Sequence, residues 1–239
     1  LLTHPLLDVF TVYGTQLLAP FSNHRFTLPA ISIIDPIYSL TLLLAVLVGV
    51  FFHRRTTLIT ISAAVALTLT SGYIFLGLAQ NEKAEHICYQ QLRQDFPGKT
   101  FSIKAYTTLF QLFWRRLVVE DAQELRIGFL STWSPKPIEW TIFKKPETLP
   151  SLTFLADSQV EMFTWFTSES YSLQYNPAIQ EVTVMDTRFG LPGSTILGFW
   201  GIAFNIDDQG HRLTPIKKIR SSNGSMGTQL ILEILQKTF

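Results

Sequence analysis

Two stretches of this chain, residues 36–52 and 56–80, contain no Asp, Glu, Lys, Arg or His. Two neighbouring helices that are apolar all round need either a large protein core or a bilayer as solvent. A chain of 239 residues makes one large domain or two small ones, so a bilayer is the simpler solution. The first run, Pro36 to Phe52, is at the short end of what a ~30 Å hydrocarbon core requires. Ile31, Ile33 and Ile34 extend it only by drawing Asp35 towards the interface. The second run, Thr56 to Ala79, is long enough to cross with some tilt. Its Thr68, Thr70, Ser71, Gly72 and Gly77 are small residues of the kind that let membrane helices approach closely. Only His53-Arg54-Arg55 separates the two, which forces an antiparallel turn. Charged residues are 15 % of the chain and apolar ones 47 %, yet residues 81–239 alone read as an ordinary soluble sequence. The predicted fold class is therefore a two-helix transmembrane hairpin over 36–80, followed by a soluble α+β domain over 81–239 with a mainly antiparallel sheet. Residues 1–35 form a separate region at the membrane interface.

Charge placement bears on topology and partners. Arg54 and Arg55 in the tight loop favour a cytoplasmic loop, although Arg25, Lys83 and Arg93 lie near the other ends of the spans. That orientation predicts a multi-pass inner (plasma) membrane protein with its carboxyl-terminal domain outside the cytoplasm. A net charge of +1 and no basic stripe argue against nucleic acid, leaving the lipid bilayer as the main partner. The single cysteine, Cys88, excludes an intrachain disulfide and any cysteine metal cluster. No basic n-region precedes an apolar core at the amino terminus, so the start is not a signal peptide; it reads as the middle of something.

Residues 1–35 carry the chemistry-bearing side chains. His4-Pro-Leu-Leu-Asp8 puts an imidazole and a carboxylate at i and i+4, which share one face of a helix. That pair suits two ligands of one metal, or a ligand and the carboxylate that orients it. The plainer alternative is a helix-start pair, with Pro5 at an early helical position. Gly14 and Pro20 read as turn devices. Arg25 and His24 suit an interfacial headgroup anchor or a contact to a substrate phosphate. Asp35 before Pro36 reads as the polar boundary of the membrane helix, or as a functional carboxylate at membrane depth.

The order of these pieces has a further meaning. His4-Pro-Leu-Leu-Asp8, Thr11-Val-Tyr-Gly-Thr-Gln-Leu-Leu-Ala-Pro-Phe-Ser22, His24-Arg25-Phe26 and Ile33-Ile-Asp-Pro-Ile-Tyr38 follow one another. This succession resembles the membrane-bound, metal-dependent hydrolase family of bacterial inner membranes, the LexA-binding, inner-membrane-associated hydrolases. The likeness is dense over residues 3–38. It is looser at Phe113–Val119, Ile127–Ser131 and Asp186–Gly190. It implies a divalent metal, with zinc as the candidate, held by His4 and Asp8, with Asp8 and Asp35 as catalytic carboxylates and Arg25 binding substrate. The implied reaction is hydrolysis of an ester or phosphoester. The family's paired-aspartate "P-D-x-D" motif and its "H-R-G-x-T-H-S" motif do not occur here. Two protein ligands are also one fewer than a catalytic zinc site uses. The sequence therefore predicts an incomplete site, in a fragment or a truncated relative. The alternative function is a non-catalytic, membrane-anchored interaction protein that takes a protein or envelope partner through residues 81–239.

Within 81–239 the pattern predicts a helix over 82–95, strands over 100–107, 114–120, 125–131 and 138–143, a helix over 158–167, strands over 181–186 and 197–206, and a closing helix over 225–237. Glu120–Gln123 and Asp207–Gly210 mark turns, and Gly190–Gly193 reads as a loop. There is no G-x-S-x-G, H-E-x-x-H or P-loop. His86 and His211 read as surface histidines, and Arg115, Arg116 and Arg188 as solvated strand-edge cations.

Overall fold

A computed structural model of the chain describes residues 3–109, 111–190 and 197–220. The predicted helix over 225–237 lies outside these residues. The chain divides into two compact units: Leu1–Lys83 with Thr107–Phe113, and Ala84–Tyr106 with Trp114–Phe239.

In the first unit, α1 (Thr3–Asp8) is a single short helix. Irregular chain then leads to α2 (Pro36–Phe51). Asp35 caps α2 by accepting from the Tyr38 N–H at 3.0 Å, and Pro36 supplies the preset φ of the first turn. That start is fixed, so Ile31, Ile33 and Ile34 stay outside the helix, and α2 is 16 residues, about 24 Å long. A turn closed by the Arg55 N–H on the Phe52 carbonyl leads into α3 (Thr56–Asp95).

α3 corrects two expectations. The predicted span over 56–79 and the predicted helix over 82–95 are one continuous helix of 40 residues. Gln80-Asn81-Glu82 contains no Gly or Pro, so the change from apolar to polar composition does not break the backbone. Among the described residues α3 alone is long and apolar enough to cross a membrane, while α2 falls below that length. Of the two spans expected from the sequence, the described residues supply one of sufficient length and apolarity, α3, so a clear two-helix hairpin is not found. The apolar part of α3 exposes Ile61, Val65, Leu67, Leu69 and Phe75, and only 11 % of its most apolar window is buried. α2 likewise exposes Leu40, Leu44, Val46, Val50 and Phe51. An apolar surface of this extent marks contact with a partner or a membrane.

The buried side of α3 is a seam of small and polar residues. Ala66, Thr70, Gly77 and Asn81 are buried at spacings of four, seven and four, the period of one helix face. Gly77 faces Ala30 so closely that a Cβ would overlap the Ala30 carbonyl. One turn on, the Asn81 amide donates to the Pro29 carbonyl.

The second unit holds two four-stranded sheets. The first has the order β1 (Ser102–Thr108), β2 (Gln111–Glu120), β3 (Glu124–Ser131), β4 (Thr141–Lys144). The second is β5 (Tyr171–Asn176), β6 (Glu181–Asp186), β7 (Trp200–Asn205), β8 (Lys217–Arg220). Pairing is antiparallel from β2 to β4 and from β5 to β8. Ala84, Cys88 and Leu92 of α3 pack with Ala105, Leu117, Val119 and Leu130 of the first sheet. Alternation along β2 puts Leu117 and Val119 on that face. A 3-10 turn (Thr153–Ala156) and α4 (Ser158–Phe166) bring Phe154 and Val160 against Val182, Val184, Ile202 and Phe204 of the second sheet. Asp157 caps α4 through the N–H groups of Gln159 and Val160, and its other oxygen accepts from Arg212. The soluble part is therefore α+β with antiparallel sheets, as predicted, but β5 and β8 were not foreseen.

The β2–β3 turn is tied by charge. Asp121 Oδ1 accepts from the N–H groups of Gln123 and Glu124, and Oδ2 accepts from Arg126 at 2.9 Å. Arg126 is buried, lies over Phe96 and Phe101, and also meets Glu124. Partial burial pushes the Asp121 carboxyl up, but Arg126 and the two N–H donors outweigh it and hold the pKa at about 2. A carboxyl depressed on folding contributes stability above its unfolded pKa of about 3.9 and loses it as pH falls towards 2. Asp121→Asn is expected to lower stability by about 1–3 kcal/mol at pH 7, with Glu124 still partnering Arg126. The difference between wild type and variant, measured by denaturant melts, should shrink as pH drops from 4 to 2.

Candidate functional site: a polar cleft where α2 begins

α1 ends in a turn where the Thr11 N–H and hydroxyl both reach the Asp8 carbonyl, at 3.1 and 2.8 Å. Gly14 follows at φ +66, a left-handed conformation that suits glycine. There the chain folds back so that Thr15 and Phe26 form a two-way backbone bridge. Arg25 is half-buried and donates through Nη2 to the carbonyls of Tyr13 (2.6 Å) and Gly14 (3.4 Å). The returning strand then reaches the chain just after α1: Leu28 N–H bonds Val9, and the Ala30 and Ile31 N–H groups bond Phe10. These bonds carry Ser32 to Asp35 round to the face of α1 that bears His4 and Asp8.

The result is a cleft of about 640 Å³. His4, Asp8, Tyr13, Ser32, Asp35 and Ser39 are among its lining residues, with Leu7, Ile31 and Leu42 as apolar wall. Three of the four residues singled out in the sequence, His4, Asp8 and Asp35, thus line one cavity, two from α1 and one from the start of α2. His4 Nε2 lies 3.4 Å from Asp8 Oδ2, the i,i+4 pair that the spacing predicts. The imidazole is 84 % exposed, so it remains open to further ligands. Asp35 is buried, with one hydrogen bond on each oxygen: Oδ1 accepts from the Tyr38 N–H and Oδ2 from the Tyr73 hydroxyl at 2.9 Å. Tyr73 and Ser39 were not identified from sequence; the i+38 separation of Tyr73 from Asp35 gives no local signal. Arg25 does not line the cleft but clamps Tyr13 and Gly14, which do. His24 is exposed and packs edge-on against Phe26.

Among the described residues, no three His, Cys, Asp or Glu side chains gather closely enough to hold an ion. His4 and Asp8 supply two donors, one short of the three protein ligands of a catalytic zinc, and Asp35 is not gathered with them into a three-residue ligand group. These residues by themselves do not make up a zinc centre.

In the second unit, the expectation of solvated strand-edge arginines is overturned. Arg115, Arg116 and Arg188 are all at least 98 % buried. Arg116 donates to the Thr187 and Leu197 carbonyls at 3.0 and 2.7 Å and lies over Phe129. Burial lowers its pKa to about 10, partly offset by the Asp186 charge. Arg188 pairs with Asp186 at 2.7 Å and lies over Phe166 and Phe189. Tyr106 donates to Ser170 at 2.8 Å, and burial pushes its hydroxyl up to about 12. Carbonyls, aromatic faces and one carboxylate hold these groups as internal struts. Cys88 is buried beneath the first sheet, with its thiol pushed up to about 12, which makes it an inert core residue. His86 and His211 are exposed as predicted, yet each has a partner one turn away, Gln90 at 2.8 Å and Asp207 at 3.3 Å.

Among the described residues, α3 is apolar, exposed and long enough to cross a membrane, and a polar cleft lies beside the start of α2. In agreement, residues 1–81 match the family model described as YdjM inner membrane protein, 81 of 239 residues or about a third of the chain. The matched stretch contains α1, the cleft, α2 and the apolar part of α3. The looser likenesses at 113–119, 127–131 and 186–190 lie outside it. Comparison with curated proteins and with solved structures found no match.

Proposed function

We propose that this chain is an inner-membrane protein whose interfacial cleft acts on an ester or phosphoester. The observation that carries the reading is the convergence of His4, Asp8 and Asp35 on one cavity where an apolar helix begins. α3 crosses the bilayer over residues 56–79, and α2 enters beside it as the second, shorter span of a hairpin. The exposed loop His53-Arg54-Arg55 lies on the cytoplasmic side, which leaves the carboxyl-terminal residues outside.

In this reading His4 and Asp8 offer two donors to a divalent metal, zinc being the first candidate, and a catalytic zinc site needs at least one donor more, from outside this chain. Such a metal supplies Lewis-acid polarisation when bound. The chain's own residues position: Asp35, held by Tyr38 and Tyr73, presents a fixed carboxylate to the cleft, while Ser32 and Ser39 offer hydroxyls to a polar ligand. Arg25 shapes the wall through Tyr13 and Gly14, and a substrate phosphate is its other proposed contact. Metal content of the purified full chain, by elemental analysis, is expected to fall about tenfold or more in His4→Ala, as loss of a ligand in a sparse site should. Unchanged metal content would remove His4 from the site.

The alternative reading is a membrane-anchored interaction protein with a protein or envelope partner on residues 81–239. It draws support from the second unit, whose buried ionic groups are spent on internal struts. A full chain that binds no metal and turns over no ester, yet is captured with a defined envelope component, would favour it.

A further inference from the structure

We propose that the cleft takes an amine-headed lipid, its head among Asp8, Asp35 and Ser39 and one acyl chain lying along α2. This rests on the reading above that the cleft is a functional site, and it names the class of molecule that enters.

Charge sets the head. The ionisable groups that line the cleft are His4, Asp8 and Asp35, with no Lys or Arg among them. An anionic head without a cation would meet two carboxylates, whereas an ammonium finds charge-assisted acceptors. The hydroxyls of Ser32, Ser39 and Tyr13 line the same space and suit the polar linkage between head and chain.

Polarity along α2 sets the tail. Ser39 and Leu42 line the cleft, and one and two turns beyond Leu42 the same face carries Val46 and Gly49. Val46 is 60 % exposed, and a Cβ on Gly49 would meet nothing within 4 Å. From Ser39 to Gly49 this apolar track runs about 15 Å, half of a ~30 Å hydrocarbon core and so the depth of one leaflet. A water-soluble ligand would fill only the polar end. A lipid uses both.

The test is lipid retention by the full chain, purified from nanodiscs containing phosphatidylethanolamine and phosphatidylglycerol in equal amounts and measured by native mass spectrometry with EDTA throughout. The wild type is expected to retain one phosphatidylethanolamine, preferred over phosphatidylglycerol by about tenfold or more. Ser39→Trp, at the mouth of the track, and Gly49→Phe, at its open end, should each reduce retention by about tenfold. Asp8→Asn should erase the head preference and leave the chain bound. Equal retention of both lipids by the wild type, or retention unaltered in both Ser39→Trp and Gly49→Phe, would overturn the proposal. So would ethanolamine phosphate alone displacing the lipid at equal concentration. Because no metal or turnover is needed, the outcome separates from the hydrolase reading. Lipid retained by a chain without esterase activity keeps this inference and sinks catalysis, and turnover of a soluble ester without lipid retention does the reverse.

Discussion

Asp186→Ala is expected to cost the second unit about 3–5 kcal/mol, the penalty for removing one partner of a buried ion pair. Asp186 has no solvent exposure, and its carboxylate is the anchor for Arg188, which is itself 1 % exposed. Oδ1 accepts from the Arg188 N–H and Nε, both at 3.0 Å, and Oδ2 accepts from Nη2 at 2.7 Å and from the Trp200 indole at 3.1 Å. The alanine variant strands a guanidinium among Phe166 and Phe189, where water cannot replace the lost acceptor. A domain has only about 5–15 kcal/mol in total, so the loss is a large fraction of the fold's stability. Asp208→Ala is the control: Asp208 is exposed and accepts from Gln180 in an exposed hydrogen bond, so its effect should stay within about 0.5 kcal/mol. Denaturant melts followed by tryptophan fluorescence on the full chain would resolve the two. Equal midpoints would show that the Asp186 network is dispensable.

The second large effect is at Gly77. Glycine to alanine inside a helix ordinarily gains about 0.5–1 kcal/mol, because alanine is the better helix former. Here the sign reverses. The new methyl overlaps the Ala30 carbonyl, and Ala30 is buried and bonded through its N–H to Phe10 at 2.9 Å. Overpacking of this kind costs about 1–3 kcal/mol. Its effect passes from Ala30 along the 28–31 segment to the chain that follows α1, so the walls of the cleft should part while α3 stays helical. Gly77→Ala is therefore expected to keep its far-ultraviolet helix signal and to lose the proximity of His4 and Asp35, measurable by paired labels. A variant with intact proximity and higher stability would contradict this packing.

Much of this was legible in the sequence, and the rest was hidden for physical reasons. The uncharged runs gave the helices, because a bilayer filters composition more strictly than it filters order. The His4–Asp8 contact followed from helical spacing alone. Asp35 as the α2 cap followed from its place before Pro36. β6 was legible from alternation, and β5 carried the same signal in Tyr171, Leu173 and Tyr175, all against the core of the second sheet. β8, Lys217-Lys-Ile-Arg220, has too many charges to show a strand pattern, as befits an edge. The continuity of α3 was obscured because its apolar and polar halves look like two elements, and only the absence of a helix breaker joins them. The burial of Arg116 and Arg188 could not be read, since the carbonyls and Asp186 that receive them are set by tertiary pairing. Arg25 read as a headgroup anchor or a substrate-phosphate contact because nothing local shows that it donates to the backbone at Tyr13.

Membrane residence of this chain requires the apolar part of α3 to lie within a bilayer. A spin label on cysteine at position 67, in the full chain reconstituted into vesicles, tests it most directly by depth-dependent relaxation. Cys88 is buried with a strongly raised pKa and should not compete for the label. Leu67 is 61 % exposed at mid-span, so its label should be reached by dissolved oxygen and shielded from a water-soluble nickel chelate. A second label at Val46 should report a shallower but still hydrocarbon depth. A label at position 67 that meets the nickel chelate as freely as one at exposed Asp208 would contradict membrane residence and the account built on it.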